Sequence, residues 1–189
     1  MNLTLKKYPR NYLITGSYEN INDFKNKFET VMHKEYELIQ LRSKNISIND
    51  YIDLAKIALS LVDKKNTKLI LNTTPEVANL LNPDGIHLTS DILMSLKSRP
   101  VNNKMIVSAA CHNEEQMKQA VKIGADIITL SPVQFTKTHP EAEILGWDKF
   151  KSLSQNYPLP VFALGGMQNV DVNHAISNGA HGIASISWW

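Results

Sequence analysis

Apolar and polar positions follow two rhythms along this chain. Short runs that are almost wholly apolar recur, and between them lie longer stretches whose apolar residues return every three or four positions. The short runs read as strands buried on both faces, and the longer stretches as helices with one buried stripe. The pattern predicts strands at 12–15, 38–42, 68–71, 86–88, 105–109, 126–130, 160–164 and 182–186. Helical periodicity covers 21–33, 51–62, 92–96, 114–123, 147–153 and 170–177, for example through Ile21, Phe24, Phe28, Val31 and Met32. Asn49 and Asp50 are capping candidates for the second helix. Thr74-Pro75-Glu76 opens a further short one, with Thr as cap and Pro at the first helical position.

Strand and helix alternate throughout, with almost no hairpin signal. One unit recurs: a helix ends on Asn or Gly just ahead of a strand at Asn82-Pro83-Asp84-Gly85-Ile86, Gly124-Ala125-Asp126-Ile127 and Asn178-Gly179-Ala180-His181-Gly182-Ile183. Repeated βα units define an α/β fold, either an open doubly wound sheet or a closed eight-stranded parallel barrel. The open sheet carries its glycine fingerprint after the first strand, where this chain has Thr15-Gly16-Ser17-Tyr18. Here the glycine pair follows the seventh strand, a position where barrels hold phosphate. The expectation is one eight-stranded parallel β/α (TIM) barrel domain over 1–189, with a truncated eighth helix. The closing Trp188 and Trp189 are expected to cover the barrel flank or a subunit contact.

Composition narrows the function classes. The 189 residues are 43% hydrophobic and 20% charged, which suits one globular domain with a sizeable core. A net charge of +2 without a basic cluster disfavours nucleic acid and is compatible with a small anion. The single cysteine, Cys111, precludes an intrachain disulfide and reads as a core thiol in a reducing compartment. No apolar run approaches the roughly 20 residues of a membrane span. A soluble, cytoplasmic protein without membrane partners is expected.

The candidate chemistry gathers where strands end. Gly165-Gly166 closes an apolar strand and precedes a helix, so bare backbone N–H groups can approach an anion; the plainer alternative is a turn that needs glycine for its dihedrals. Gln40, Arg42 and Lys44 alternate onto one side of an emerging strand, where Arg and Lys suit an oxyanion. Asn72, Thr73, His87, Cys111, His112, Thr136, Thr138, His139 and Ser187 complete the polar set. Carboxylates are few, which argues against a paired-acid hydrolase. The polar segment 131–145 is long for a connection and reads as a functional lid. A Schiff-base aldolase ranks low, because Lys44, Lys68 and Lys104 lie at or beyond strand edges.

Taken together, Gln40-Leu41-Arg42-Ser43-Lys44, Asp84-Gly85-Ile86-His87-Leu88, Ser131-Pro132-Val133 with Thr136 and Thr138, Leu164-Gly165-Gly166-Met167 and Ile186-Ser187 resemble the thiamin phosphate synthase/TenI superfamily. Cys111-His112-Asn113, Thr138-His139-Pro140 and Leu145-Gly146-Trp147 resemble a branch often fused behind a Nudix hydrolase. No Nudix box is present, so the resemblance is to a stand-alone form, with a functional link to a Nudix hydrolase and a homodimer as partner expectations.

The resemblance implies that Gln40, Arg42, Lys44 and Asn72 face a pyrimidine diphosphate. Thr136 and Thr138 would face a thiazole phosphate held by Gly165, Gly166, Ile186 and Ser187. It also marks departures. The two metal-binding Asp positions of the synthase are Thr73 and Ile92, with Asp91 one short; the Lys that meets pyrophosphate is His139; a phosphate-side Ser is Ala110. No metal ligand set is assigned, and Mg²⁺ is expected only if the synthase reaction is retained. The tautomerase branch needs no metal and uses a His at the end of strand five, where His112 stands. The expected activity is tautomerase-like or weakened synthase chemistry on a thiazole phosphate. The alternatives are an active Mg-dependent synthase and a non-catalytic phosphate-binding module.

Overall fold

The computed structural model describes residues 8–136 and 140–189. Thr138 and His139 therefore lie outside the described residues. Eight strands alternate with seven α-helices: β1 (Asn11–Ile14), α1 (Ile21–Met32), β2 (Leu38–Leu41), α2 (Ile48–Leu61), β3 (Lys68–Asn72), α3 (Pro75–Leu81), β4 (Gly85–Leu88), α4 (Ser90–Ser95), β5 (Ile106–Cys111), α5 (Glu114–Lys122), β6 (Ile127–Leu130), α6 (Gly146–Ser154), β7 (Val161–Leu164), α7 (Val172–Ser177) and β8 (Gly182–Ser185). Each strand pairs in parallel with the next, and β8 returns to β1, closing the barrel. All eight predicted strands are present, and the barrel is the architecture that the glycine position favoured.

Alternation along each strand divides the core in two. One set, including Leu13, Ile39, Leu69, Ile86, Val107, Ile128 and Ile183, faces the helices and meets Phe24, Phe28, Leu54 and Phe150. The other, with Tyr12, Ile14, Leu38, Ile70, Ile127, Phe162 and Ala184, fills the barrel interior. Trp188 stacks on Tyr36 with centroids 5.6 Å apart, and Trp189 packs 5.5 Å from Phe24 while its Nε1 donates to Ser17 O. Both tryptophans thus cover the flank beside β1 and β2.

Several boundaries move for local reasons. Helix α2 starts at Ile48, capped by Ser47, whose Oγ accepts from Asp50 N and donates to the Asp50 carboxylate. Asp50 is a first-turn acid rather than the cap, and Asn49 lies inside the helix. Thr74 is the cap residue of α3, but its side chain makes no capping hydrogen bond. Strand β5 continues through Ala110 to Cys111, past the predicted end at 109.

The N-terminal end of the barrel is closed by matched polar groups. Asp84 accepts from Leu69 N–H and pairs with Lys68 at 3.0 Å. Asp126 repeats the arrangement with Val107 N–H and Arg99, at 2.8 Å each. His181 takes the corresponding position before β8, with Nε2 bonding Tyr8 O at 2.8 Å and Arg10 donating to its backbone carbonyl. These are the residues that precede the strand in the recurrent helix–turn–strand unit.

Candidate active site

At the opposite end, the strand termini surround a cavity of about 940 Å³. Its lining includes Gln40, Arg42, Lys44, Asn72, His87, Asp91, His112, Thr129, Thr136 and Gly165. A second cavity of about 500 Å³ is lined by Thr136, Gly165, Gly166, Ser185, Ile186 and Ser187, and shares Thr136, Leu164, Gly165 and Ile186 with the first. His112, Gln40, Arg42, Lys44, Asn72, Thr136, Gly165, Gly166, Ile186 and Ser187 therefore each line one cavity or the other, whereas Thr73 and Cys111 of the predicted polar set line neither. Thr138 and His139 cannot be placed in this geometry, as they lie outside the described residues.

The cationic wall is set by β2. Thr15 Oγ1 accepts from Arg42 N and donates to Arg42 O, at 2.8 and 2.9 Å, while Tyr51 Oη donates to Leu41 O. Those bonds fix where the strand releases its chain, and hence where Arg42 points. Among the described residues the Arg42 guanidinium makes no ion pair. Burial lowers the Arg42 pKa; Lys44 is lowered by desolvation and by Arg42, with Glu141 acting in the opposite sense. Thr15, buried and at the end of a strand reading as core, was missed by sequence reasoning; only its place just past β1 could have marked it.

Gly165 and Gly166 take φ of +100° and +72°, which L side chains rarely adopt. A Cβ on Gly165 would stand 2.8 Å from Pro132 Cα, and one on Gly166 would stand 2.6 Å from Phe135 O. The glycines thus let the segment after β6 lie against the end of β7, joined by Val133 N to Leu164 O at 2.9 Å and Gln134 N to Gly165 O at 3.2 Å. The far end of the same segment returns through Leu145 N to Pro132 O at 2.9 Å. Thr136, Ala142, Glu143 and Leu145 then line the large cavity.

Of the N–H groups that the sequence offered to an anion, some are already bonded within the chain. The helical start expected near residue 170 is a 3-10 turn, Asn169–Asp171, leading into the short α7, and the Asp171 carboxylate accepts Gln168 N–H at 2.8 Å. A carboxylate already occupies that position. Ser187 N–H donates to Ser185 Oγ at 3.2 Å, and Ser185 Oγ donates to Met167 O at 2.8 Å. The Gly166 N–H makes no hydrogen bond among the described residues, which leaves it for an anion. Ser185, which organises this corner, was also missed, because inside a strand its type reads as filler.

His112 follows β5 and is exposed at the rim. Its N–H donates to Gln116 Oε1 at 2.7 Å, and its Nδ1 lies 2.8 Å from Ser131 O. A carbonyl can only accept, so Nδ1 carries the proton and the neutral ring keeps a lone pair on Nε2. That is the tautomer of a base whose second nitrogen is already oriented. Beside it, Cys111 is fully buried and burial pushes its thiol up to about 12, as befits a core residue. His87 is 5% exposed, and burial together with Arg42 holds its pKa down to about 3.

The carboxylates at the cavity are Asp91 and Glu143, the latter 3.6 Å from Lys149. Thr73 and Ile92 do not line it; Ile92 packs on the core. Asp91, one residue short in sequence, does reach the mouth. One carboxylate beside substrate phosphates is a donor set that Mg²⁺ accepts.

A family model described as thiamine monophosphate synthase (TMP-TENI) matches residues 11–188. A protein of Aquifex aeolicus named "Putative thiamine-phosphate synthase 2" is 35% identical over 95% of this chain and 96% of its own length. A thiamine-phosphate synthase of Methanococcus maripaludis is 30% identical over 93% of this chain and 84% of its own. Among solved structures, a thiamine phosphate pyrophosphorylase from Pyrococcus furiosus superposes with a TM-score of 0.73 at 22% identity, covering 98% of this chain and 88% of that one, a likeness of fold. The chain belongs to the thiamine monophosphate synthase family.

Proposed function

We propose that this barrel is an enzyme of thiamin metabolism that binds a thiazole phosphate and moves a proton on it, with His112 as the base. The observation that carries the reading is the Nδ1 bond from His112 to Ser131 O, which leaves Nε2 as the open position on a ring at the cavity. The glycine corner would hold the phosphate, with Gly166 N–H as a donor. His112 Nε2 would take a proton from a thiazole carboxylate ring carbon and return it elsewhere on the same ligand. The Ser131 carbonyl stabilises the imidazolium formed in between. No net charge leaves the ligand, so this chemistry needs neither a metal nor a leaving-group clamp.

A second reading has its own observation. Arg42, which makes no ion pair among the described residues, lines the cavity together with Lys44 and Asp91, which suits a diphosphate leaving group and therefore the synthase reaction of the family. In that reading Asp91 together with substrate phosphates would hold Mg²⁺, which would supply charge neutralisation of the departing diphosphate. One experiment separates the readings. The protein is incubated either with a thiazole carboxylate phosphate in D₂O or with pyrimidine diphosphate, thiazole phosphate and Mg²⁺. Proton exchange and isomer formation that disappear in His112→Ala support the tautomerase reading. Thiamin phosphate formation without isomerisation overturns it in favour of the synthase. Tight binding with neither product leaves a binding module.

A further inference from the structure

Three consecutive residues at the end of β2 are each held by a hydroxyl from elsewhere in the chain. Tyr51 Oη donates to Leu41 O at 3.1 Å, Thr15 Oγ1 bonds both backbone groups of Arg42, and Tyr18 Oη lies 2.9 Å from Ser43 Oγ. Thr15 and Tyr18 belong to the loop that joins β1 to α1, so this loop grips the cation-bearing segment at two points. The loop is itself gripped by the residues that follow β8. Trp189 Nε1 donates to Ser17 O at 3.0 Å, and Trp189 N–H donates to Ile186 O at 3.1 Å. The Trp189 ring packs on Phe24 and Phe28, and Tyr18 stands edge-on to Phe24 with centroids 5.3 Å apart. A Cβ on Gly16 would stand 2.9 Å from Trp189 Cδ1 and 3.1 Å from Ile186 Cγ2, so the bare backbone lies against both.

Packing alone does not call for these polar tips. Against Phe24, phenylalanine would serve at 18 and at 189 as well as tyrosine and tryptophan do. The hydroxyl and the indole N–H add direction, one toward Ser43 and the other toward Ser17. The segment they direct is one that resists being held. Arg42 and Lys44 bring like charge to one cavity, where desolvation disfavours both charged forms and Arg42 disfavours that of Lys44 further. An unrestrained pair of that kind swings outward, where water screens it. Anchors on Leu41, Arg42 and Ser43 oppose that movement. The two cations are then in place before an anion arrives, and binding need not order them.

We propose that Tyr18 and Trp189 are positioning residues for the cationic wall. Trp189 fixes Ser17, the adjoining Tyr18 fixes Ser43, and Arg42 and Lys44 on either side of Ser43 are thereby preset for a multiply charged anion. Neither Tyr18 nor Trp189 lines either cavity, so both act through other residues. The inference rests on Arg42 and Lys44 binding an anion, as the proposed function has it.

Calorimetric titration of inorganic pyrophosphate into the whole chain tests this, with Arg42→Gln reporting on the wall itself. Tyr18→Phe and Trp189→Phe each remove one hydrogen bond and keep an aromatic ring. Each should weaken pyrophosphate binding by about fivefold, with melting temperatures close to that of the unsubstituted protein. The double variant should bind no more weakly than the weaker single one, because both residues act through one line of contacts. Tyr18→Phe decides alone if Trp189→Phe folds poorly. Unchanged affinity in Tyr18→Phe while Arg42→Gln weakens binding overturns the inference and leaves the anion wall standing. Losses that multiply in the double variant overturn it as well. Unchanged affinity in Arg42→Gln, or no binding by the unsubstituted protein, removes the wall as an anion site and the inference with it.

Discussion

The two ends of this barrel are made from the same eight strands and treat polar groups in opposite ways. At the N-terminal end, Asp84, Asp126 and His181 each close on a neighbouring backbone group, with a Lys or Arg beside them. At the C-terminal end Arg42 has no ion pair, Gln40 and Thr129 have unpaired oxygens, and the Gly166 N–H has no partner, all among the described residues. The N-terminal end uses these groups on the fold, although Asn11 Oδ1 and Arg99 Nε there have no partner among the described residues. The C-terminal end leaves Arg42 and the Gly166 N–H beside its cavities, where the proposed function puts a ligand. Stability and function should therefore separate by end, and that separation can be broken.

The largest effect should come from His112→Ala. Turnover of the thiazole ligand should fall by about 10²- to 10⁴-fold, the range for losing a general base. The melting temperature should scarcely move, since the side chain is exposed. Kinetics and thermal melts on the same preparation check both halves. A variant that also lost several degrees would blur the division between the ends.

Asp126→Ala tests the other end. It leaves the Val107 N–H and the Arg99 guanidinium without their shared partner, so unfolding free energy should drop by about 2 kcal/mol. Ligand affinity of the folded protein should be unchanged. Urea melts followed by titration below the new midpoint decide it. A loss of affinity would show that the closed end communicates with the mouth.

Gly166→Ala should act on binding first. Alanine at φ +72° is strained, and its Cβ would press on Phe135 O, so the turn must open where the anion donor lies. Phosphate affinity should weaken by about tenfold, as read by titration. Undiminished affinity would place the anion elsewhere.

Acid sensitivity is confined to low pH and vanishes at neutral pH. His87 has a pKa near 3 in the fold against 6.5 ordinarily, because burial and Arg42 disfavour its charged form. Between those values the unfolded chain binds a proton that the folded one does not. Stability is therefore unaffected by this group above pH 6.5 and declines as pH falls through the window toward 3. His87→Asn should flatten part of that decline in urea midpoints measured against pH. An unchanged slope would mean His87 is not held neutral.

Much of this was legible in the sequence, and the reasons are local. Apolar runs bounded by turn residues define every strand, and the glycine pair after the seventh points to a barrel. The wall of Gln40, Arg42 and Lys44 shows because period-two alternation carries through the strand end. Asp84, Asp126 and His181 were visible as a repeat, but their pairing with Leu69, Val107 and Tyr8 needs the sheet to close. The polar groups inside the barrel were hidden for a different reason: Ser108, which bonds His87 Nδ1 at 2.8 Å, and Thr129 sit in runs whose composition is that of core strands. Asp91, one position short of the synthase residue, lines the cavity from the first turn of α4, which counting along the chain does not show.

The central claim is that the C-terminal end holds a thiazole phosphate through the glycine corner. Its most direct test is calorimetric titration of thiazole phosphate into the unsubstituted protein and into Gly166→Ala under one buffer. The account predicts a one-to-one complex with the first and a clearly weaker one with the second. No binding by the unsubstituted protein, or equal binding by both, would contradict it.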